Sequence, residues 1–260
     1  MPSINTFLDG AARARPQFGL WCSLAHPITT ELCAGAGYDW LLIDMEHAPN
    51  EIGDVYAQLQ AASAYPVECV VRPPSNDPVM IKRLLDIGVR SLLIPFIETA
   101  EQASAAVRST RYPPHGVRGL TMSSRANRFG RDSDYLRAIE REIRVVVQVE
   151  SRAGVDHIEQ IAKTPGVSAV FIGPSDLSAD LGFLGQPGAA RPRQVISSTI
   201  TKLNALNTPW GILAPVEADA KAFAELGASF IALGSDQSLL VRAADQLAGR
   251  FVVNTHIASE

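Results

Sequence analysis

Arg144 to Asp176, RVVVQVESRAGVDHIEQIAKTPGVSAVFIGPSD, reads as strand, helix, strand. Arg144–Val149 is a β-branched run that ends in Glu150. Ala153–Lys163 carries apolar Val155, Ile158 and Ile161 at helical spacing. Ala169–Ile172 is a second apolar strand running into Gly173-Pro174-Ser175-Asp176. Two parallel strands joined by a helix thus each deliver a carboxylate to the same sheet edge. Strand alternation puts Gln148 and Glu150 on one face and Val147 and Val149 on the other. A Glu and an Asp converging there can hold a hard divalent ion through oxygen. The competing reading is a pair of solvated strand ends.

Outward from that unit the rhythm repeats. Strands are expected at Phe18–Leu24, Trp40–Asp44, Glu68–Arg72, Ser91–Phe96, Trp210–Leu213 and Phe230–Leu233. Helices are expected at about Ile28–Ala36, Glu51–Ala64, Pro78–Asp86, Ala100–Ser109, Arg193–Leu206, Val216–Leu226 and Ser238–Ala248. Eight strand–helix units predict an α/β fold, a closed eight-stranded parallel (β/α)8 TIM barrel. An open doubly wound sheet is the competing fold, but no GxGxxG follows the first strand. With no internal linker, residues 1–260 read as one domain, opened by a short amphipathic helix, Ile4–Ala14, with Ser3 as its cap. Two insertions break the pattern: the arginine-rich Arg111–Arg137, and Leu181–Pro192 after the sixth strand.

Composition excludes several classes. The net charge of −4 leaves no nucleic-acid footprint. No apolar run approaches the ~18 residues of a membrane span. The first twenty residues lack the apolar core of a signal peptide, which points to a cytoplasmic protein. Three cysteines, Cys22, Cys33 and Cys69, form no CxxC pair and suggest neither a disulfide framework nor a zinc site.

In a barrel the chemistry sits at the carboxyl ends of the strands. Strand two ends in Asp44-Met45-Glu46-His47 and strand three in Arg72. His47 is the natural general base, with Asp44 placed to orient its imidazole; Glu46 competes for the acid role. Arg72 suits a carbonyl or carboxylate oxygen, or else a structural salt bridge. The amides of Ser175 and Asp176 after Gly173 suit a substrate carboxylate. A Schiff-base mechanism needs a lysine at a strand end; Lys82, Lys163, Lys202 and Lys221 all fall in expected helices.

The segments GLWCSL, ELCAGAGYDWLLIDMEHAPN, VVRPPSNDP, LLDIGVRSLLIP, RYPPHGVRG, VVVQVES and VFIGPSDLSADLG together resemble the HpcH/HpaI aldolase family, from about Gln17 to Phe251. The sequence differs from the family pattern at Met45, where glycine is usual, and around Thr121–Gly130. The resemblance implies a class II aldolase that cleaves or forms 4-hydroxy-2-oxo acids, giving pyruvate and an aldehyde. It implies a divalent ion (Mg2+, Mn2+ or Co2+) on Glu150 and Asp176, and Arg72 on the keto oxygen. His47, oriented by Asp44, would transfer the proton. Gly173, Ser175, Asp176, Gln148 and Leu213 would line the substrate site. It also implies a homo-oligomer, a hexamer built as a trimer of dimers, in which Asp86 reaches a neighbouring subunit's site and the last helix packs on a partner barrel. A lyase acting on a CoA thioester and a non-catalytic oxo-acid-binding barrel are the other readings.

Overall fold

A computed structural model describes residues 5–8 and 15–252. Strands β1 (Gln17–Cys22), β2 (Trp40–Asp44), β3 (Glu68–Arg72), β4 (Ser91–Ile94), β5 (Arg144–Val149), β6 (Ala169–Ile172), β7 (Trp210–Leu213) and β8 (Phe230–Ser235) each pair in parallel with the next, and β8 closes on β1. The expected (β/α)8 barrel is the fold.

Helices α1 (Pro27–Gly35), α2 (Ile52–Ala62), α3 (Pro78–Asp86) and α4 (Ala100–Ser109) follow the first four strands. After them come α5 (Tyr135–Glu142), α6 (Arg152–Asp156), α7 (Ile158–Ala162), α8 (Pro174–Asp180), α9 (Ala190–Ala205), α10 (Glu217–Glu225) and α11 (Asp236–Phe251). Their starts are chemically marked. Asp77 accepts from the backbone N–H of Val79 and Met80, and Thr99 forms a capping box with Gln102.

The strand pleat divides the apolar residues into two layers. Outward residues such as Leu41, Ile43, Val71, Val145, Val147 and Ile172 pack under the helices. Inward residues Trp21, Trp40, Leu42, Val70, Leu93, Val146, Phe171 and Phe230 fill the barrel. Each fully buried branched side chain is worth about 1.5–3 kcal/mol. Gly19 makes room inside: a Cβ there would lie 2.2 Å from the Trp40 ring.

The boundaries differ from expectation at identifiable places. β1 stops at Cys22 because the N–H groups of Ser23 and Leu24 donate to the Asp236 carboxylate instead of a neighbouring strand. β4 stops at Ile94, since Pro95 has no N–H and Phe96 turns left-handed, with φ 51°. The single helix expected over Ala153–Lys163 is two, broken at His157, whose Nδ1 meets the Glu98 carbonyl at 2.9 Å. The Arg111–Arg137 insertion contains a short 3-10 turn, Arg125–Asn127, and the start of α5.

The expected opening helix is not seen in its described part. Asn5–Leu8 is non-helical, and Leu8 has φ 63°. Asn5 Nδ2 donates to the Glu142 carbonyl (2.7 Å) and Ser91 Oγ (3.0 Å). That anchoring drives Phe7, fully buried, against the rings of Trp40 and Phe230. Burying Phe7 in the barrel floor wins over weak helical periodicity. Ser3, Ile4 and residues 9–14 lie outside the described residues.

At the other end, α11 is exposed from Leu239 onward, including Leu240, Val241, Leu247 and Phe251. Among the described residues, no helix is long and apolar enough to cross a membrane.

Candidate active site

The register of β2 against β3 places Asp44 beside Arg72 at the carboxyl edge. Arg72 Nε donates to Asp44 Oδ1 at 2.8 Å, and its NH2 donates to Oδ2 at 2.7 Å. Arg72 NH1 lies 2.9 Å from Glu46 Oε2, an ion pair outside hydrogen-bond geometry. The guanidinium also sits 5.6 Å from the centre of the Trp21 ring. All three charged side chains are buried. Burial opposes the Arg72 charge, but Asp44 outweighs it and raises the group above its ordinary pKa.

This corrects one expectation. Both Asp44 oxygens are taken by Arg72, so Asp44 does not orient His47. The carboxylate facing the imidazole is Glu46, with Oε2 3.6 Å from His47 Nε2. The His47 side chain is 59% exposed and reaches the barrel mouth. Burial pushes the Glu46 carboxyl above its usual range, against the pull of Arg72 and His47 and with the push of Asp44 and Asp176.

Several supporting residues gave no signal in the sequence reading. Asn50 Nδ2 donates to the Asp44 carbonyl at 2.6 Å. Gln58 holds Asn50 (2.6 Å), and Thr30 holds Gln58 (2.8 Å). This buried chain runs from α1 through α2 to the exit of β2. Buried amides in a helix face were the available clue, but their partners are separated by up to 28 residues.

Across the mouth, Gln148 and Glu150 leave β5 on the inward face, as alternation predicts. Gln148 Nε2 donates to Glu150 Oε2, while Gln148 Oε1 is buried without a partner. The backbone N–H of Phe96 donates to Glu150 Oε1 at 3.0 Å. The left-handed turn at Phe96, costly for a bulky residue, aims that N–H. Burial raises the Glu150 carboxyl to about 7. The bonds from Gln148 and Phe96 lower it, and the negative charges of Glu46 and Asp176 push it up.

Gly173 is required where β6 ends. A Cβ there would lie 2.7 Å from both Cβ and Oε2 of Glu150. Pro174 then starts α8, which carries Ser175 and Asp176 in its first turn. Leu213, ending β7, packs on the barrel interior. Ser175 and Leu213 line one cleft of about 440 Å³ with Arg193 and Asp219.

Asp86 is not part of this constellation within one chain. It ends α3, and its carboxylate accepts from the buried Arg118 at 3.0 Å. The four lysines lie on or just after helices, none at a strand end.

The donors suit a hard cation. Glu150, Asp176 and the orphaned Gln148 Oε1 are all oxygens, and the like charges of Glu46, Glu150 and Asp176 disfavour one another without a counter-ion. Among the described residues no group of three or more His, Cys, Asp or Glu is arranged to hold a metal. A two-carboxylate site matches the Mg2+ preference for few protein ligands plus water and substrate.

The sequence pattern of the HpcH/HpaI aldolase/citrate lyase family matches residues 17–243. The chain belongs to that family. It is 47% identical over 247 residues to 5-keto-4-deoxy-D-glucarate aldolase of Klebsiella pneumoniae subsp. pneumoniae, covering 95% of this chain and 96% of that protein. A crystal structure of an HpcH/HpaI aldolase/citrate lyase family protein from Burkholderia cenocepacia J2315 superposes with a TM-score of 0.89 at 42% identity, covering 94% and 96% of the two chains. The citrate lyase beta subunit of M. tuberculosis, complexed with oxaloacetate and magnesium, shares the fold at 18% identity with a TM-score of 0.57, over 85% and 92% of the chains.

Proposed function

We propose that the protein is a divalent-metal-dependent carbon–carbon lyase. It would cleave a 4-hydroxy-2-oxo acid to pyruvate and an aldehyde, and run the reverse addition. The observation that carries this reading is the opposed pair of groups at the mouth. The buried Arg72 cation is locked by Asp44, and across from it stand Glu150, Asp176 and the unpartnered Gln148 oxygen. The family membership agrees with it. The near relatives favour 5-keto-4-deoxy-D-glucarate as substrate, which numbered from its keto end is a 4-hydroxy-2-oxo acid with a second carboxylate.

Glu150 and Asp176 would hold the ion, whose chemistry is Lewis-acid polarisation of the 2-oxo group. Arg72 presents its remaining N–H donors to the keto oxygen, where negative charge builds as the C3–C4 bond breaks. Its pairing with Asp44 fixes the guanidinium plane before substrate arrives. His47, exposed at the mouth beside Glu46, takes the proton of the 4-hydroxyl and returns it in the addition direction. Glu46 holds the resulting imidazolium. The backbone N–H groups of Ser175 and Asp176 receive the substrate carboxylate, Gln148 borders it, and Leu213 supplies an apolar wall.

The exposed apolar run of α11 supports assembly of several copies, and we propose the hexamer, a trimer of dimers. In it Asp86 would approach a neighbouring copy's mouth. The three free thiols and the lack of a membrane-crossing helix among the described residues fit a cytoplasmic enzyme.

The test is pyruvate release from 5-keto-4-deoxy-D-glucarate. Release that stops with EDTA and returns with Mg2+, Mn2+ or Co2+ supports the reading. Binding of oxo acid without turnover under every metal would leave a non-catalytic barrel and refute it.

A further inference from the structure

We propose that Asn50 is a positioning residue for proton transfer. Its side-chain amide clasps the loop that carries Glu46 and His47, and a buried relay through Gln58 and Thr30 fixes which way that amide faces. The inference rests on the reading of His47 as the proton-transfer group.

His47 needs such a device. Its side chain is mostly exposed, so packing does little to hold it and its place depends on the backbone of the loop. That loop is pinned at its start. The Met45 N–H donates to the Arg72 carbonyl at 2.9 Å, and the Glu46 N–H donates to Asp44 Oδ1 at 3.1 Å. At its far end Asn50 reaches back across six residues. Its Nδ2 donates to the Asp44 carbonyl at 2.6 Å and, more weakly, to the Cys22 carbonyl at 3.5 Å. The clasp thus ties together the exits of β1 and β2 and closes the loop into a ring. His47 lies midway between the two ends of that ring, Asp44 and Asn50.

The direction of every amide in the relay follows from its inner end. A carbonyl only accepts, so Asn50 must turn Nδ2 to Asp44 and Oδ1 to Gln58. Gln58 must then offer Nε2, at 2.6 Å, which leaves its Oε1 for the Thr30 hydroxyl at 2.8 Å. The single Thr30 proton goes there ahead of the more distant His26 carbonyl, at 3.3 Å. Gln58 Nε2 makes a second bond, to the Asp54 carbonyl, at 3.2 Å. Thr30, Gln58 and Asn50 are all buried, so water does not compete for these groups. Reversing one amide would set oxygen against oxygen. For packing alone, apolar side chains of the same shape would serve as well. A directional chain that ends on the Asp44 carbonyl fixes loop geometry instead.

The experiment measures pyruvate release from 5-keto-4-deoxy-D-glucarate with Mg2+ by Asn50→Asp, His47→Ala and the double variant, each checked for folding by a thermal melt. Asn50→Asp keeps the shape but turns an oxygen to the Asp44 carbonyl. Its kcat is expected to fall about 10–10²-fold, the scale of a small misplacement of a reacting group, with KM nearly unchanged. In the His47→Ala background the same change should cost nothing further, because a residue that acts only through His47 has nothing left to position. Thr30→Val removes the donor at the outer end of the relay and should lower kcat in the same His47-dependent way, whereas Thr30→Ser should retain it. These two variants decide the proposal if Asn50→Asp does not fold. Equal losses with and without His47, a change in KM alone, or wild-type kcat in Asn50→Asp would overturn the proposal while leaving His47 in its role. A His47→Ala enzyme at the wild-type rate would overturn the proton-transfer reading and the proposal with it.

Discussion

Arg72 and Asp44, facing residues at the ends of adjacent strands, are joined by two parallel hydrogen bonds of 2.8 and 2.7 Å. Both side chains are almost fully enclosed, at 7% and 3% exposure. Asp44 thus acts on the arginine and not on the histidine three residues later. The fork geometry of guanidinium on carboxylate sets the plane in which Arg72 meets substrate.

Removing one partner of that pair strands a buried charge. Asp44→Ala is expected to destabilise the fold by about 3–5 kcal/mol and to lower turnover. Arg72→Lys keeps the charge but loses the fork, so turnover should recover only in part. Urea unfolding and steady-state cleavage rates measure the two effects. A Lys variant with wild-type turnover would show that charge alone suffices.

Glu150 gives the site a pH signature. Its carboxyl titrates near 7 in the folded protein, against an ordinary value near 4.5. The folded state therefore holds a proton that the unfolded chain has released between those values. Metal-free protein should lose stability as pH rises from about 4.5 to 7, and that loss should be absent in Glu150→Gln. An ion on Glu150 must displace the proton below about 7. Calorimetric titration with Mg2+ or Mn2+ in buffers of different ionisation enthalpy should show proton release at pH 6 and little at pH 8. Equal release at both values would remove Glu150 from the ligand set.

Gly173→Ala tests the close approach of β6 to Glu150. The added Cβ would sit 2.7 Å from the Glu150 side chain. A stability loss of about 1–3 kcal/mol is expected, together with weakened metal binding. Gly53→Ala, in α2 with nothing within 4 Å of the new Cβ, is the control and should gain about 0.5–1 kcal/mol. Thermal melts with and without Mn2+ separate packing from ligation.

His47→Ala should lower turnover by about 10²–10⁴, the usual contribution of a positioned proton-transfer group, while pyruvate affinity changes far less. Glu46→Gln should leave His47 in place but lower turnover, because the imidazolium formed in proton transfer loses the carboxylate 3.6 Å away; steady-state rates measure the loss. A His47→Ala enzyme at full rate across the pH range would move the proton transfer to another group.

The barrel was legible because each strand is a short β-branched run and each helix has its own apolar period. Those signals are local, and five strands, Trp40–Asp44, Glu68–Arg72, Arg144–Val149, Ala169–Ile172 and Trp210–Leu213, have the predicted bounds. That Gln148 and Glu150 share the inward face, and that Glu150 meets Arg72 at the carboxyl edge, followed from alternation and from the barrel's single functional face. What sequence could not show is which neighbour each polar group selects. Asp44 is three residues from His47 but pairs with Arg72, 28 residues on, because β3 lies beside β2 in register. Asn5–Leu8 failed for a similar reason. Its helical spacing was local, whereas the burial of Phe7 against Trp40 and Phe230 joins parts of the chain far apart. The aim of the Phe96 N–H depends on a positive φ, which a phenylalanine does not advertise.

The most direct test of an enolate formed between Arg72 and the Glu150–Asp176 pair needs no aldehyde. It is the exchange of pyruvate methyl protons with deuterated water, followed by proton NMR. Wild-type enzyme with Mg2+ or Mn2+ should catalyse the exchange, EDTA should stop it, and Arg72→Ala and Asp176→Ala should each slow it by at least about 10²-fold. Exchange at the wild-type rate in both variants, or exchange indifferent to EDTA, would contradict the assignment of these residues to enolate formation.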